Sequence, residues 1–251
     1  MVVGNWKMNT NVPEGIKLAS KIRELLSNKT YRDIEVVLCP PFTSIASISD
    51  VLNGSGVKLG AQNVFYEKGG AFTGEISAHM LLGLCQFVII GHSERRHIFG
   101  ETNMDINAKI KEICAQDINP ILCVGETSEE RDSGLTKVVV REQIRQALNG
   151  IDDIKGLSIA YEPVWAIGAA LAASFVQVED VIESAIRAEL RNCYDDAVSR
   201  STPVLYGGSV NSNNVTEFLG HPNIQGTLVG GASLDPYEFV KIVDQTLSQL
   251  Q

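Results

Sequence analysis

The stretch Tyr161-Glu162-Pro163-Val164-Trp165-Ala166-Ile167-Gly168 sets one carboxylate at the end of an apolar strand and follows it with a loop of small residues. A carboxylate there, beside a loop able to close over a ligand and exclude water, suits a proton-transfer base. Its strand covers 157–162, and seven more β-branched or apolar runs accompany it, at 2–5, 34–39, 57–62, 87–91, 121–124, 204–206 and 227–229. Between them lie longer segments with helical spacing, at 14–26, 103–115, 138–148, 178–198 and 236–247. Ile106, Ile110 and Ile113 repeat at the helical period, and Val181, Ala185, Ala188 and Leu190 do so more loosely. Eight strands, most followed by a helix, in 251 residues is the count of a closed (β/α)8 barrel. We therefore expect an α/β chain forming one such domain over residues 1–251. A doubly wound open sheet is the alternative that the same alternation allows.

Hydrophobic residues make up 44% of the chain, a globular rather than a disordered composition, and the length suffices for a full core. The net charge of -9 argues against a nucleic-acid backbone binder, which carries a basic face. It leaves room for a small anionic substrate at a locally positive site. The five cysteines (Cys39, Cys85, Cys114, Cys123, Cys193) are odd in number and widely spaced, with no Cys-x-x-Cys pair. Buried free thiols in a reducing compartment are the expectation, not zinc or a redox dithiol. The amino terminus lacks a charged region followed by a long apolar run. No apolar stretch approaches the roughly 20 residues a spanning helix needs. We expect a cytoplasmic protein without membrane or nucleic-acid partners.

Glycines follow several strands: Gly168, Gly207-Gly208 and Gly230-Gly231. In a barrel these positions fall in the loops of the C-terminal face, where active sites sit, and glycine lets backbone N–H groups come close to a ligand. Tyr206-Gly207-Gly208-Ser209-Val210 and Gly230-Gly231-Ala232-Ser233-Leu234 follow strands 7 and 8. Backbone amides, a hydroxyl and a helix N-terminus together make a phosphate cradle, although either glycine pair alone also serves a tight turn. Asn5-Trp6-Lys7-Met8-Asn9 puts Lys7 just past strand 1, where it faces an anion or simply stands in solvent. Gly91-His92-Ser93-Glu94-Arg95-Arg96 places His92 near a helix start, which favours neutral imidazole. A lone histidine is more often structural, and Glu94 with the two arginines could be no more than an ion-pair cluster. In Cys123-Val124-Gly125-Glu126 the thiol has no adjacent activating base, so Cys123 reads as packing behind the site.

Taken in order, these six segments resemble the triosephosphate isomerase family, over essentially the whole chain and at that family's spacings. The resemblance implies a TIM barrel, no metal or other cofactor, and interconversion of dihydroxyacetone phosphate and D-glyceraldehyde 3-phosphate through an enediolate. It implies that Glu162 moves the proton between two carbons and that His92, as neutral imidazole, polarises the carbonyl and shuttles protons between the oxygens. Lys7 would offset the charge of phosphate and enediolate, Asn5 would bond the substrate oxygens, and Glu94 would order Lys7 and its surroundings. Gly168, Ser209, Gly230 and Gly231 would bind phosphate, chiefly through backbone N–H groups. The segment Gln62-Asn63-Val64-Phe65 through Gly74-Glu75-Ile76 resembles the family's long third loop, which docks beside the catalytic lysine of a partner subunit. The implication is a homodimer joined through 62–76, with Thr73 nearest the partner's site. From the residues alone this loop could equally be a surface Ω-loop.

The chain departs from the family's pattern in three places. After Gly168 the family commonly continues Thr-Gly-Lys, whereas this chain has Ala169-Ala170-Leu171-Ala172-Ala173. If Ala170 occupies a positive-φ position, it costs about 1 kcal/mol there. Two readings stay open: a lid that closes normally, or a modified lid with impaired turnover on a barrel that still binds phosphate. Next, Ser174-Phe175-Val176-Gln177 offers a capping box for the following helix. It leaves Phe175 to pack under the lid, line an enlarged pocket or stand exposed. Finally, few residues precede Asn5, so strand 1 is expected to be minimal and barrel closure weaker beside Lys7.

Overall fold

Runs of Val, Ile and Leu pair side by side as β1 (Val2–Asn5), β2 (Val36–Cys39), β3 (Lys58–Ala61), β4 (Phe87–Ile90), β5 (Asn119–Val124), β6 (Ser158–Tyr161), β7 (Val204–Tyr206) and β8 (Gly226–Val229). They belong to a computed structural model that describes residues 1–27, 29, 31, 33–168 and 173–249. All pairings are parallel, and β8 returns to β1, so the sheet closes into a barrel and the open-sheet alternative falls. β1 pairs at four positions with β2 and at three with β8. The expected weakness at this seam is therefore not found.

Side chains alternate across each strand, and the barrel sorts them into two cores. Val3, Val37, Cys39, Phe87, Ile89, Ile121, Cys123, Ala160, Leu205 and Leu228 fill the interior. Their neighbours Val2, Leu38, Val88, Ile90, Leu122, Val124, Ile159, Tyr161, Tyr206 and Val229 pack outward under the helices. Counting on by two from Val3, Ala160, Leu205 and Leu228 brings Asn5, Glu162, Gly207 and Gly230 to the inner side at the C-terminal rim. Cys123 is interior packing, as expected, and both Cys39 and Cys85 are buried; Cys114 and Cys193 are exposed free thiols, against the expectation that all five would be buried.

Four of the long helices lie within a residue or two of their expected spans: Val12–Leu26, Asn103–Cys114, Thr136–Ala147 and Pro236–Ser248. The first two begin in capping boxes, Asn11 with Glu14 and Thr102 with Asp105, which satisfy otherwise orphaned N–H groups. Ile106, Ile110 and Ile113 form the buried face of the second. The segment expected as one helix over 178–198 differs. It starts at Phe175, behind the Ser174–Gln177 capping box, and passes through a π-helical turn at Ile182–Arg187. It ends at Cys193, after which the Asp195 side chain accepts the Val198 N–H and starts a new helix, Asp196–Ser201. Among the described residues no helix is long and apolar enough to cross a membrane.

Candidate active site

The C-terminal rim encloses a cleft of about 330 Å³ whose walls include Asn5, Lys7, His92, Glu162, Gly168, Ser209, Gly230 and Gly231. The structure thus brings together residues that are up to 226 positions apart in sequence. Glu94 is not on the wall but reaches it through Lys7. Among the larger cavities, two of about 520 and 550 Å³ open among residues at the N-terminal ends of the strands, such as Glu35, Lys58, Asn119 and Ser158. That end of such a barrel serves stability.

Glu162 is 2% exposed, and its place depends on two glycines. Its N–H donates to the Val124 carbonyl at 2.8 Å. A Cβ on Gly125 would lie 1.7 Å from the Glu162 carbonyl oxygen, and one on Gly207 would lie 2.9 Å from Glu162 Cγ. Any other residue at Gly125 would push this backbone away. The carboxylate has two partners. Oε2 accepts the Ser93 N–H at 2.9 Å, and Oε1 lies 3.1 Å from His92 Nε2.

His92 caps the helix Ser93–His97, and its Nδ1 accepts the Glu94 N–H at 3.2 Å. A ring nitrogen that accepts carries no proton, so in neutral His92 the proton sits on Nε2, facing Glu162. Burial opposes the imidazolium, but the Glu162 carboxylate outweighs it and holds the His92 pKa above its ordinary value. Burial likewise opposes a charged Glu162, yet His92 and the Ser93 N–H prevail and hold its pKa below the usual carboxylate value. The pair keeps Glu162 ionised.

Lys7 has φ 52°, a left-handed conformation uncommon outside glycine. Two side chains hold it there. Asn5 Oδ1 accepts the Lys7 N–H at 3.0 Å, and Gln62 Nε2 donates to the Lys7 carbonyl at 2.8 Å and to Cys39 at 2.9 Å. The ammonium lies 2.6 Å from Glu94 Oε1. Glu94 and the arginines do not form the ion-pair cluster that the sequence left as an alternative. Arg95 pairs with Glu101 at 2.7 Å, while Arg96 donates to the carbonyls of Gly91 and Cys123 and to Asn103, joining the ends of β4 and β5.

At the cleft's far end Gly168 takes φ 65°, and Gly231–Leu234 form a 3-10 turn, whose first N–H groups have no partner within the turn. A Cβ on Gly230 would come within 3.5 Å of Lys7 Cε, so the glycine backbone and the lysine stem face the same space. Residues 169–172 lie outside the described residues, and with them most of the Ala169–Ala173 departure. Phe175 is neither fully exposed nor on the cleft wall: half-buried, it stacks on His221 at 3.6 Å between ring centroids, and the lid it was expected to pack under lies outside the described residues. Thr73 is exposed in the 62–76 loop, which is tied by the Phe65 N–H donating to Ile76 at 2.8 Å and by contact of the Phe65 and Phe72 rings.

Several supporting residues escaped sequence reasoning. Fully buried Glu126 accepts from Trp165 Nε1 at 2.9 Å and from the Tyr161 hydroxyl, docking the segment that leads to Gly168. Arg131 covers the Trp165 ring at 4.0 Å. Glu126 stood in a quoted motif, but nothing local signalled its partners. Gln62 and Ser93 likewise stood in quoted segments without a sign of their contacts, and Gln143 had no sequence signal. Among the described residues no group of three or more His, Cys, Asp or Glu side chains is arranged to hold a metal ion.

A family model described as triosephosphate isomerase matches residues 1–246. A triosephosphate isomerase of Dehalococcoides mccartyi (strain CBDB1) is 46% identical over 245 residues, covering 98% of this chain and 95% of that protein. One of Chlorobium phaeobacteroides (strain BS1) is 45% identical over 245 residues, 97% of each chain. One of Aquifex aeolicus (strain VF5) is 47% identical over 248 residues, 97% of this chain and 98% of that protein.

Proposed function

The chain belongs to the triosephosphate isomerase family, and from that premise we propose that Glu162, His92, Lys7 and Asn5 carry its reaction. That reaction interconverts dihydroxyacetone phosphate and D-glyceraldehyde 3-phosphate. The observation that carries the assignment is the pair Glu162 Oε1 and His92 Nε2, 3.1 Å apart on the wall of the cleft. A carbonyl oxygen arriving at His92 Nε2–H takes over that hydrogen bond and frees Glu162 Oε1. The carboxylate then removes a proton from the carbon beside the carbonyl, leaving an enediolate. His92 stabilises the oxyanion and passes protons between the two oxygens. Glu162 returns its proton to the neighbouring carbon, so atoms and electrons balance without an added reagent. Lys7 offsets the negative charge of enediolate and phosphate, held in place by Glu94, and Asn5 donates to the substrate oxygens. The phosphate rests on the amides of Gly168, Ser209, Gly230 and Gly231.

Exclusion of water matters because an exposed enediolate can eliminate phosphate. The alternative, a phosphate-binding barrel with impaired catalysis, draws its support from the alanine-rich residues after Gly168. The intact base, imidazole and lysine do not favour it. Steady-state isomerisation of D-glyceraldehyde 3-phosphate, coupled to reduction of the ketone product, tests the reaction. Fast turnover is expected. A folded protein that binds phosphorylated glycolate tightly yet does not turn over would favour the alternative.

We read residues 1–251 as one domain, on the support of the single closed barrel. We place the protein in the cytoplasm, consistent with its free cysteines. A homodimer through 62–76, with Thr73 near the partner's site, has support from exposed apolar residues that follow β1 and β4. Met8 is 97% exposed, Ile98 72%, Phe99 69% and Met104 79%, unusual for so many large side chains on one end of a monomer.

A further inference from the structure

Phe175 is a departure from the family's pattern that the reaction itself does not use. Its ring lies against His221 with centroids 3.6 Å apart and planes 21° from parallel. One turn further along the same helix, Asn223 Nδ2 donates to Glu179 Oε1 at 2.7 Å. Two turns beyond that, Arg187 donates to Gln225 Oε1 at 3.2 Å. Residues 221–225 therefore run beside this helix, and the aromatic stack is their contact at its first residue. The helix start also carries an exposed cap, Ser174 with Gln177, ahead of buried Val178. Just ahead of it Ala173 is buried in the outer core. Only four residues separate Ala173 from Gly168, which lines the phosphate end of the cleft. The other side of Gly168 is held through Trp165 and Glu126.

We propose that the Phe175–His221 stack is a positioning contact for the phosphate end of the site: it fixes the start of the helix that follows Gly168 in the chain and so helps to set the Gly168 amide against the substrate's phosphate. The proposal rests on the reading of Gly168, Ser209, Gly230 and Gly231 as phosphate ligands. Phe175 itself touches no substrate. Its effect is specific to ligands with a phosphate, because it acts at that end of the cleft and not on Glu162 or His92.

The test compares Phe175→Ala, Phe175→Tyr, His221→Ala and the double alanine variant with the unaltered chain. KM and kcat for D-glyceraldehyde 3-phosphate, the Ki of inorganic phosphate and kcat/KM for unphosphorylated D-glyceraldehyde are measured. An aromatic stack contributes enough for Phe175→Ala to raise KM and Ki together by about two- to tenfold. The rate with D-glyceraldehyde stays unchanged, and Phe175→Tyr behaves as the unaltered chain does. His221→Ala reproduces the defect and the double variant adds little to it, as expected of one shared contact. If Phe175→Ala does not fold, His221→Ala carries the test from the other side of the stack. Unchanged KM and Ki in a folded variant, or an equal loss with the unphosphorylated substrate, overturns the proposal. Failure of inorganic phosphate to inhibit the unaltered chain would instead overturn the reading of the phosphate site, so the two failures are told apart.

Discussion

Between Glu162 and His92 the charge of one residue sets the titration of the other, which makes the pair testable atom by atom. Burial alone would depress the His92 pKa, and the Glu162 carboxylate at Nε2 raises it. Removing a negative charge beside a cation lowers the cation's pKa. Glu162→Gln should therefore lower the His92 pKa, leaving Glu94 as the carboxylate that still opposes burial, as followed by NMR of the imidazole nitrogens. An unchanged or higher value would mean that the two groups are not coupled. Glu162→Asp keeps the charge and withdraws the carboxylate by one methylene. A misplacement of about 1 Å costs on the order of 10²-fold in rate, so kcat should fall by roughly that factor while KM moves little. An unchanged kcat would remove Glu162 from the role of base. These residues were legible because Glu162, His92 and Lys7 each lie within two residues of a strand's end. The left-handed Lys7 backbone was not, since the Asn5 and Gln62 contacts that hold it depend on closure of the barrel.

The elements carry the site through a few buried polar contacts. Gln143, on the helix Thr136–Ala147, grips both backbone groups of Gly125: Oε1 accepts its N–H at 2.8 Å and Nε2 donates to its carbonyl at 3.0 Å. Gly125 lies directly against the backbone of Glu162, so this helix steadies Glu162 from outside the barrel. Gln143→Leu leaves two buried backbone groups unpaired, each costing about 1–3 kcal/mol. We expect a clear fall in Tm by calorimetry, together with a lower kcat. A Tm within about a degree of the unaltered protein's would show that water replaces the glutamine without loss. The strand runs were readable from alternation and β-branching, and the interior and exterior sets follow from it. The break at Tyr194 was missed because periodic apolar residues continue across it, although Asp195 is a cap in type and position. Short helices such as Ser93–His97 and Ile45–Leu52 span too few turns for a period to show. The hydrogen-bond partners of Gln143 and Glu126 are 18 or more residues away in sequence, and no local pattern encodes which carbonyl or hydroxyl a buried amide or carboxylate meets.

At the scale of the molecule, closure of eight strands gathers residues from both ends of the chain at one rim, with Lys7 facing Gly230 across β1 and β8. The same rim carries apolar side chains that the chain does not cover itself: Met8 beside the Lys7 segment, Ile98 and Phe99 beyond the helix that His92 caps, and Met104. A second copy would remove these surfaces from water and brace the strained turn at Lys7 from outside. Stability of the turn and assembly of the copies are then linked, because whatever binds the folded chain favours it by mass action. Sedimentation of the unaltered protein at micromolar concentration should give twice the chain mass. Thr73→Arg combined with Phe99→Lys places cations in the contact, one of them near the partner's Lys7. It should give single chains, whose kcat falls on dilution sooner than that of the unaltered protein. Activity should return as concentration rises, since the substitutions leave Glu162, His92 and the phosphate loops intact. A single-chain mass for the unaltered protein with full turnover would sink the dimer and show that Lys7 holds its conformation through Asn5 and Gln62 alone.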